Sequence, residues 1–213
     1  MSLAITDATI VVLAPHTDDG ELGAGGSIAK WLEAGNDVHY VAFSACENLQ
    51  VPPDPSDLLR HECAAATRAL GLDEQHLRIL DFEARHLARD RQRVLDEMVT
   101  LNGSLKPDLV LVPSSHDSHQ DHYVVSVEAH RAFKRTRILG YEVPWNNFQF
   151  EVSAFVTIDE RHVQSKWNAL THYKSQERRS YMTHDYVQAQ ARFRGVQAGV
   201  DYAEAFQIIR WYL

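Results

Sequence analysis

Two short polar runs carry most of the residues able to do chemistry. The first is His16-Thr17-Asp18-Asp19-Gly20-Glu21 and the second is His116-Asp117-Ser118-His119-Gln120-Asp121-His122. Imidazole and carboxylate without thiolate is a donor set for Zn²⁺ or a neighbouring first-row divalent ion. Three protein donors leave one position open, which is the catalytic arrangement. His16 and Asp19 on one turn, joined by a histidine of the second run, would supply three. Asp18 points away from its neighbour Asp19 and suits a general base beside a bound water, whose pKa zinc lowers to about 7.

For these runs to meet, the chain must fold so that both stand at one edge. Each follows an apolar, β-branched stretch: Ile10–Ala14 before the first, Leu109–Val112 before the second. In open α/β sheets the carboxyl ends of the strands form the ligand crevice. The rest of the chain supplies such a sheet. Strands are predicted at 10–14, 38–44, 77–82, 109–112 and 138–143, with a β-rich stretch at 150–158. Between and after them, helical spacing predicts helices at 27–33, 56–70, 89–101, 124–133, 160–173 and 186–193. A Gly-rich turn at 23–26, a loop at 47–55, a turn at 195–199 and a final apolar stretch at 206–211 complete the pattern. Alternating strands and helices imply a Rossmann-like α/β fold, a mostly parallel sheet with helices on both faces, in a single domain spanning 1–213.

Composition narrows the function classes. The 213 residues carry 21 Lys and Arg against 29 Asp and Glu, a formal charge of −8, which disfavours nucleic acid as a partner. With 45% apolar and 23% charged residues the chain is of globular composition. No stretch has the length of a membrane span, and two cysteines, Cys46 and Cys63, make no disulfide framework. A cytoplasmic protein is expected. The segment Gly23-Ala24-Gly25-Gly26 lacks the third glycine of a dinucleotide fingerprint, since Ile28 stands there.

His16-x-Asp18-Asp19-x-Glu21-x-Gly23, followed by Gly25-Gly26-Ser27, resembles the first motif of the LmbE-like (PIG-L) N-acetylglucosaminyl deacetylases. His119-x-Asp121-His122 resembles the second. Arg60-His61-Glu62, Pro107-Asp108-Leu109-Val110 and Tyr202-Ala203-Glu204-Ala205-Phe206 extend the likeness along the chain. The resemblance implies zinc-dependent removal of an acetyl group from a small acetamido sugar, with Fe²⁺ or another divalent first-row metal as alternatives. By motif position it makes His16, Asp19 and His122 the metal ligands and Asp18 the base. His119 then stabilises the oxyanion or protonates the leaving amine, and Asp121 orients it. The family's prolines are replaced by Thr17 and Gln120. Homo-oligomeric assembly stays open.

Softer candidates surround this core. Arg60 is placed to reach a substrate hydroxyl or acid group, Trp145 to stack on a sugar ring with Asn146 and Asn147 beside it, and Tyr202 to donate to the acetyl oxygen. Cys46 and Glu47 follow the second strand and are placed along the crevice. His116 is expected in the pocket wall. The remaining histidines, His39, His61, His76, His86, His130, His162, His172 and His184, take a surface or satisfied-core role by default. Other readings keep the metal but change the bond, to a sugar–thiol conjugate or an acylated secondary metabolite, or drop the chemistry for nucleotide or sugar binding.

Overall fold

The apolar stretches at 10–14, 109–112 and 138–141 are buried on both sides, so helices must cover both faces of the sheet there. The computed structural model describes residues 5–51 and 53–212; residue 52, within the loop expected at 47–55, lies outside the described residues. The chain runs β1 (Thr9–His16), α1 (Asp19–Glu33), β2 (Asp37–Ser44), α2 (Leu58–Leu70), β3 (Leu77–Ile79), α3 (Arg91–Leu105) and β4 (Leu109–Pro113). It continues through α4 (Gln120–Ala132), β5 (Arg137–Tyr141), β6 (Ala154–Ile158), α5 (Glu160–Leu170), α6 (His184–Ala198) and β7 (Tyr202–Arg210). The strands form one sheet in the order β3-β2-β1-β4-β5-β7-β6. The pairs from β3 through β5 are parallel, and β7 is antiparallel to both its neighbours. The fold class read from the sequence is the one observed.

The period of two along β1 divides the core. Val11 and Leu13 point to one face, where Val94 and Met98 of α3 and Val125 and Ala129 of α4 cover them. Ile10, Val12 and Ala14 point to the other, beneath Ile28 of α1, Leu59 of α2, Leu170 of α5 and Val187 of α6. Strand order reverses at β1, whose neighbours β2 and β4 leave on opposite sides, so a crevice opens at the carboxyl ends of β1 and β4.

Three expectations need correction. The Gly-rich stretch is helical, because α1 starts at Asp19 rather than at 27. Its glycines allow close approach to the sheet: a Cβ on Gly20 would strike the Tyr40 ring and one on Gly23 the Tyr141 ring. The helix breaks its regularity at Ala24 (φ −143°, ψ 16°). The amides of Gly26 and Ser27 then donate to the Glu204 carboxylate at 3.1 and 2.7 Å, and Lys166 neutralises Glu204 at 2.8 Å. Second, α4 starts at Gln120 rather than at 124, which puts Asp121 and His122 in its first turn. Third, Gly195 belongs to α6, and the closing apolar stretch is the long antiparallel strand β7.

Candidate active site

His16 ends β1, and Asp19 opens α1 after a two-residue step, so the tight strand-to-helix turn presents both into the crevice. The Asp19 Oδ2 accepts the backbone N–H of His16 at 2.8 Å, which fixes the turn. From the neighbouring strand, β4 leads to Asp117 and then to α4, whose N-cap is His119 and whose first turn carries His122.

Three atoms face one another there. His16 Nδ1 and His122 Nε2 each stand 3.1 Å from Asp19 Oδ2, and the two nitrogens are 3.4 Å apart. The outer nitrogens are already committed: His16 Nε2 meets Asp121 Oδ2 at 3.0 Å, and His122 Nδ1 meets Asp117 Oδ2 at 2.8 Å. With a proton on each outer nitrogen, both inner nitrogens carry lone pairs aimed at the same small space. Two lone pairs 3.4 Å apart repel, and two protons there must share Asp19 Oδ2 as acceptor; one cation serves all three atoms at once. The three separations also match the edges of a tetrahedron around a zinc-class ion, about 3.3 Å for bonds of 2.0–2.1 Å. The donor set and its spacing therefore fit a divalent metal.

A second grouping, His16, His119 and Asp121, also brings ligand atoms within 4.8 Å of one another. Its members are otherwise occupied. Asp121 accepts the backbone N–H groups of Arg85 (2.6 Å) and Leu87 (3.3 Å) besides His16. His119 Nδ1 accepts the Asp121 N–H at 3.2 Å as the helix cap. Asp121 thus braces His16 and does not orient His119 through its carboxylate, a correction to the role expected of it. Carboxylates on the far nitrogens of metal-binding imidazoles fix the tautomer and raise ligand basicity.

The electrostatics follow from burial and these pairs. Burial disfavours charge on His16, but Asp121 and Asp19 outweigh it and raise its pKa to about 9. On His122 burial is likewise overcome, by Asp19 and Asp117, to about 10. Burial pushes Asp19 up, yet the His122 and His16 charges hold its carboxyl far below the usual range. Asp18 is pushed up to about 6 by burial, then by the charge of Asp19. Its carboxylate takes no side-chain hydrogen bond among the described residues, and it lines the cleft. Burial, then the His122 charge, lowers the pKa of His119. Beneath the turn, burial raises Glu21 to about 8, where Tyr40 and Tyr173 hydroxyls meet both its carboxyl and the Thr17 carbonyl.

These residues floor a cleft of about 440 Å³, the size of a small-ligand site. Trp145 lies in its wall, but flat on Tyr181, with rings 3.6 Å apart and 8° from parallel. Asn146 holds the loop after β4, its carbonyl accepting Ser118 N–H (3.1 Å) and Oγ–H (2.9 Å). Arg85 and Arg179 stand at the mouth, and neither forms an ion pair with a carboxylate among the described residues. Cys46 lines the cleft too.

Four candidates lie elsewhere. Arg60 is bound to Glu47 (2.5 Å), to Asp81 and to the Ile79 carbonyl in a separate hollow, which also takes Glu47 out of the crevice. Tyr202 pairs with Ile158 at the start of β7, against Arg192; it stands at the carboxyl edge but on the outer β7–β6 side of the sheet, and it does not line the cleft. His116 is exposed and outside the cleft wall. Conversely, Asp117, Arg85, Gln176, Arg179 and Tyr181 went unassigned. Of these only Asp117 had a signal, a carboxylate five residues before His122 across a helix start.

Residues 11–133 match the family described as PIG-L, GlcNAc-PI de-N-acetylase. The chain belongs to the PIG-L family. This PIG-L chain is 28% identical over 172 residues to the uncharacterized deacetylase YaiS of Escherichia coli K12, covering 78% of itself and 90% of that relative. Among solved structures, the conserved protein TT1542 of Thermus thermophilus superposes with a TM-score of 0.80 at 28% identity, over 98% and 97% of the two chains. GalB of Pseudomonas putida KT2440, a 4-carboxy-2-hydroxymuconate hydratase, gives 0.80 at 22% identity, over 97% and 98%. That last likeness is one of fold alone. Within the described residues, no helix of this PIG-L protein is long and apolar enough to cross a membrane.

Proposed function

We propose that this PIG-L enzyme removes the N-acetyl group from a small N-acetylated amino sugar or its conjugate, with Zn²⁺ or a similar first-row cation held by His16, Asp19 and His122. The observation that carries the proposal is the triangle of three donor atoms at the β1–β4 reversal, with its imidazoles braced from behind by Asp121 and Asp117. A cation there supplies Lewis-acid polarisation of the acetamide carbonyl and acidifies water.

The chain's own residues do the rest. Asp18, ionised above about pH 6 and free of side-chain partners, accepts a proton from the attacking water. His119 accepts the Asp121 amide on Nδ1, so its remaining ring proton sits on Nε2. Its lowered pKa keeps the ring neutral, a hydrogen-bond donor to the oxygen that gains charge as the carbonyl becomes tetrahedral. Asp18 then returns its proton to the departing nitrogen. The Trp145–Tyr181 pair offers an apolar wall to a sugar face.

Acetate release from a panel of N-acetylated mono- and disaccharides and their conjugates tests the proposal, before and after chelation and zinc readdition. Zinc-restorable release from at least one member is expected. Protein with one zinc per chain at His16, Asp19 and His122 that releases acetate from none of them would overturn it. Release of longer acyl groups in place of acetate would move the substrate to another amide on the same site.

A further inference from the structure

At the opposite edge of the sheet a second cluster has the same residue types. Asp37 opens β2 and His39 follows two residues later on the same face of the strand. His76 closes the turn Glu74–His76 just before β3, and the register Tyr40↔Leu77 brings it beside His39. The two rings lie 4.6 Å apart at 64°. Both Nε2 atoms converge on one carboxylate: His39 stands 3.1 Å from Asp37 Oδ2 and His76 3.6 Å from Asp37 Oδ1. One ligand atom from each residue lies within 4.8 Å of the other two.

We infer that Asp37, His39 and His76 form a second, independent site for a first-row divalent cation such as Zn²⁺, Ni²⁺ or Cu²⁺. The two imidazoles reach different oxygens of the one carboxylate, at 3.1 and 3.6 Å, and one donor atom of each residue lies close enough to the others for a single ion to gather all three. Two imidazoles with a carboxylate select these metals over Mg²⁺ or Ca²⁺, which take oxygen ligands. Partial exposure of all three residues leaves room for water to complete the coordination. The register Thr9↔Asp37 and His16↔Ser44 sets the two sites seven residues apart along the strands, about 23 Å at about 3.3 Å per residue. The ion would fasten the start of the edge strand β3 to β2, so binding raises the stability of the folded chain by mass action.

The test is a count of metal on untagged protein, stripped with chelator and titrated with ZnCl₂ by calorimetry and equilibrium dialysis. Two zinc ions per wild-type chain are expected, the weaker accompanied by a rise in thermal midpoint. His39→Gln and, separately, the more exposed His76→Gln should each bind one ion and keep the wild-type catalytic rate. Asp19→Ala should also bind one, and Asp19→Ala with His76→Gln none. The weaker ion should compete with NiCl₂ and not with MgCl₂. A wild-type count of one that Asp19→Ala abolishes, or a count of two that neither histidine substitution changes, would overturn the inference. The count on Asp19→Ala needs no enzymatic activity, so it stands apart from the proposed reaction.

Discussion

The two edges of the sheet use the same donor types, and they differ in what stands behind the donors. At the carboxyl edge, His16 and His122 each have a carboxylate on the far ring nitrogen, and Asp121 is itself held by two backbone amides. At the amino edge, His39 and His76 share only Asp37, half of whose side chain is exposed. The donors decide whether a metal is held, and the outer partners add to how tightly and in what orientation. The carboxyl edge also has Asp18 and His119 within the cleft, while the amino edge has no counterpart to either among the residues of its cluster.

Exchanging one carboxylate at each edge breaks the comparison most sharply. Asp19→Ala should lose the tightly held zinc and all measurable acetate release, whereas Asp37→Asn should leave kcat unchanged. Equal losses in steady-state assays of the two would show that the edges are not independent. Next in size, Asp18→Asn should keep the carboxyl-edge zinc and slow turnover by about 10²–10⁴, the contribution of a general base. His119→Ala should also retain zinc and lose about 10²–10³, with the loss in kcat rather than KM. If metal analysis found either variant depleted of zinc, its residue would be a ligand rather than a proton or hydrogen-bond partner.

Asp117→Asn addresses the outer partners directly. Zinc affinity at the carboxyl edge should fall about 10–100-fold, with the amino-edge affinity untouched; a competition titration with unaltered affinity would remove the distinction between the edges. The smallest effect is on pH. Without a cation, the folded chain holds protons on His16 to about pH 9 and on His122 to about pH 10, both above the ordinary 6.5. That stabilisation is complete below pH 6.5 and is lost as pH rises through 9 to 10. The thermal midpoint of metal-free protein should therefore decline from about pH 7 to 10, and zinc, by replacing the protons, should flatten the decline. A metal-free midpoint that rises across this range would exclude protonated imidazoles there.

The sequence made the carboxyl edge legible because its chemistry is local. His16, Asp18 and Asp19 lie within one turn, and His119, Asp121 and His122 within another, each directly after an apolar stretch. What escaped were relations across the chain. The loop after β3 turns Arg85 into a left-handed conformation (φ 68°) and sends two amides to Asp121, which no spacing foretells. The glycines at 20 and 23 likewise answer to the Tyr40 and Tyr141 rings opposite, which leave no room for a Cβ. Arg60 and Tyr202 were placed at the site on helical position and motif, but Glu47 and Asp81 hold the first away and the strand order sets the second on the outer β7–β6 side of the sheet. The period of two told strand from helix well, yet it carries no sign of direction, so antiparallel β7 read only as apolar.

The irregular helix α1 ties two distant stretches of the chain together. Asp19 rides on its first half, and the amides exposed by its break are answered by Glu204, 178 and 177 residues farther along the chain. During synthesis the turn that carries His16 and Asp19 leaves the ribosome long before the carboxylate that completes its helix. A chain shortened before β7 would carry His16, Asp19 and His122 and still lack the carboxylate that clamps α1.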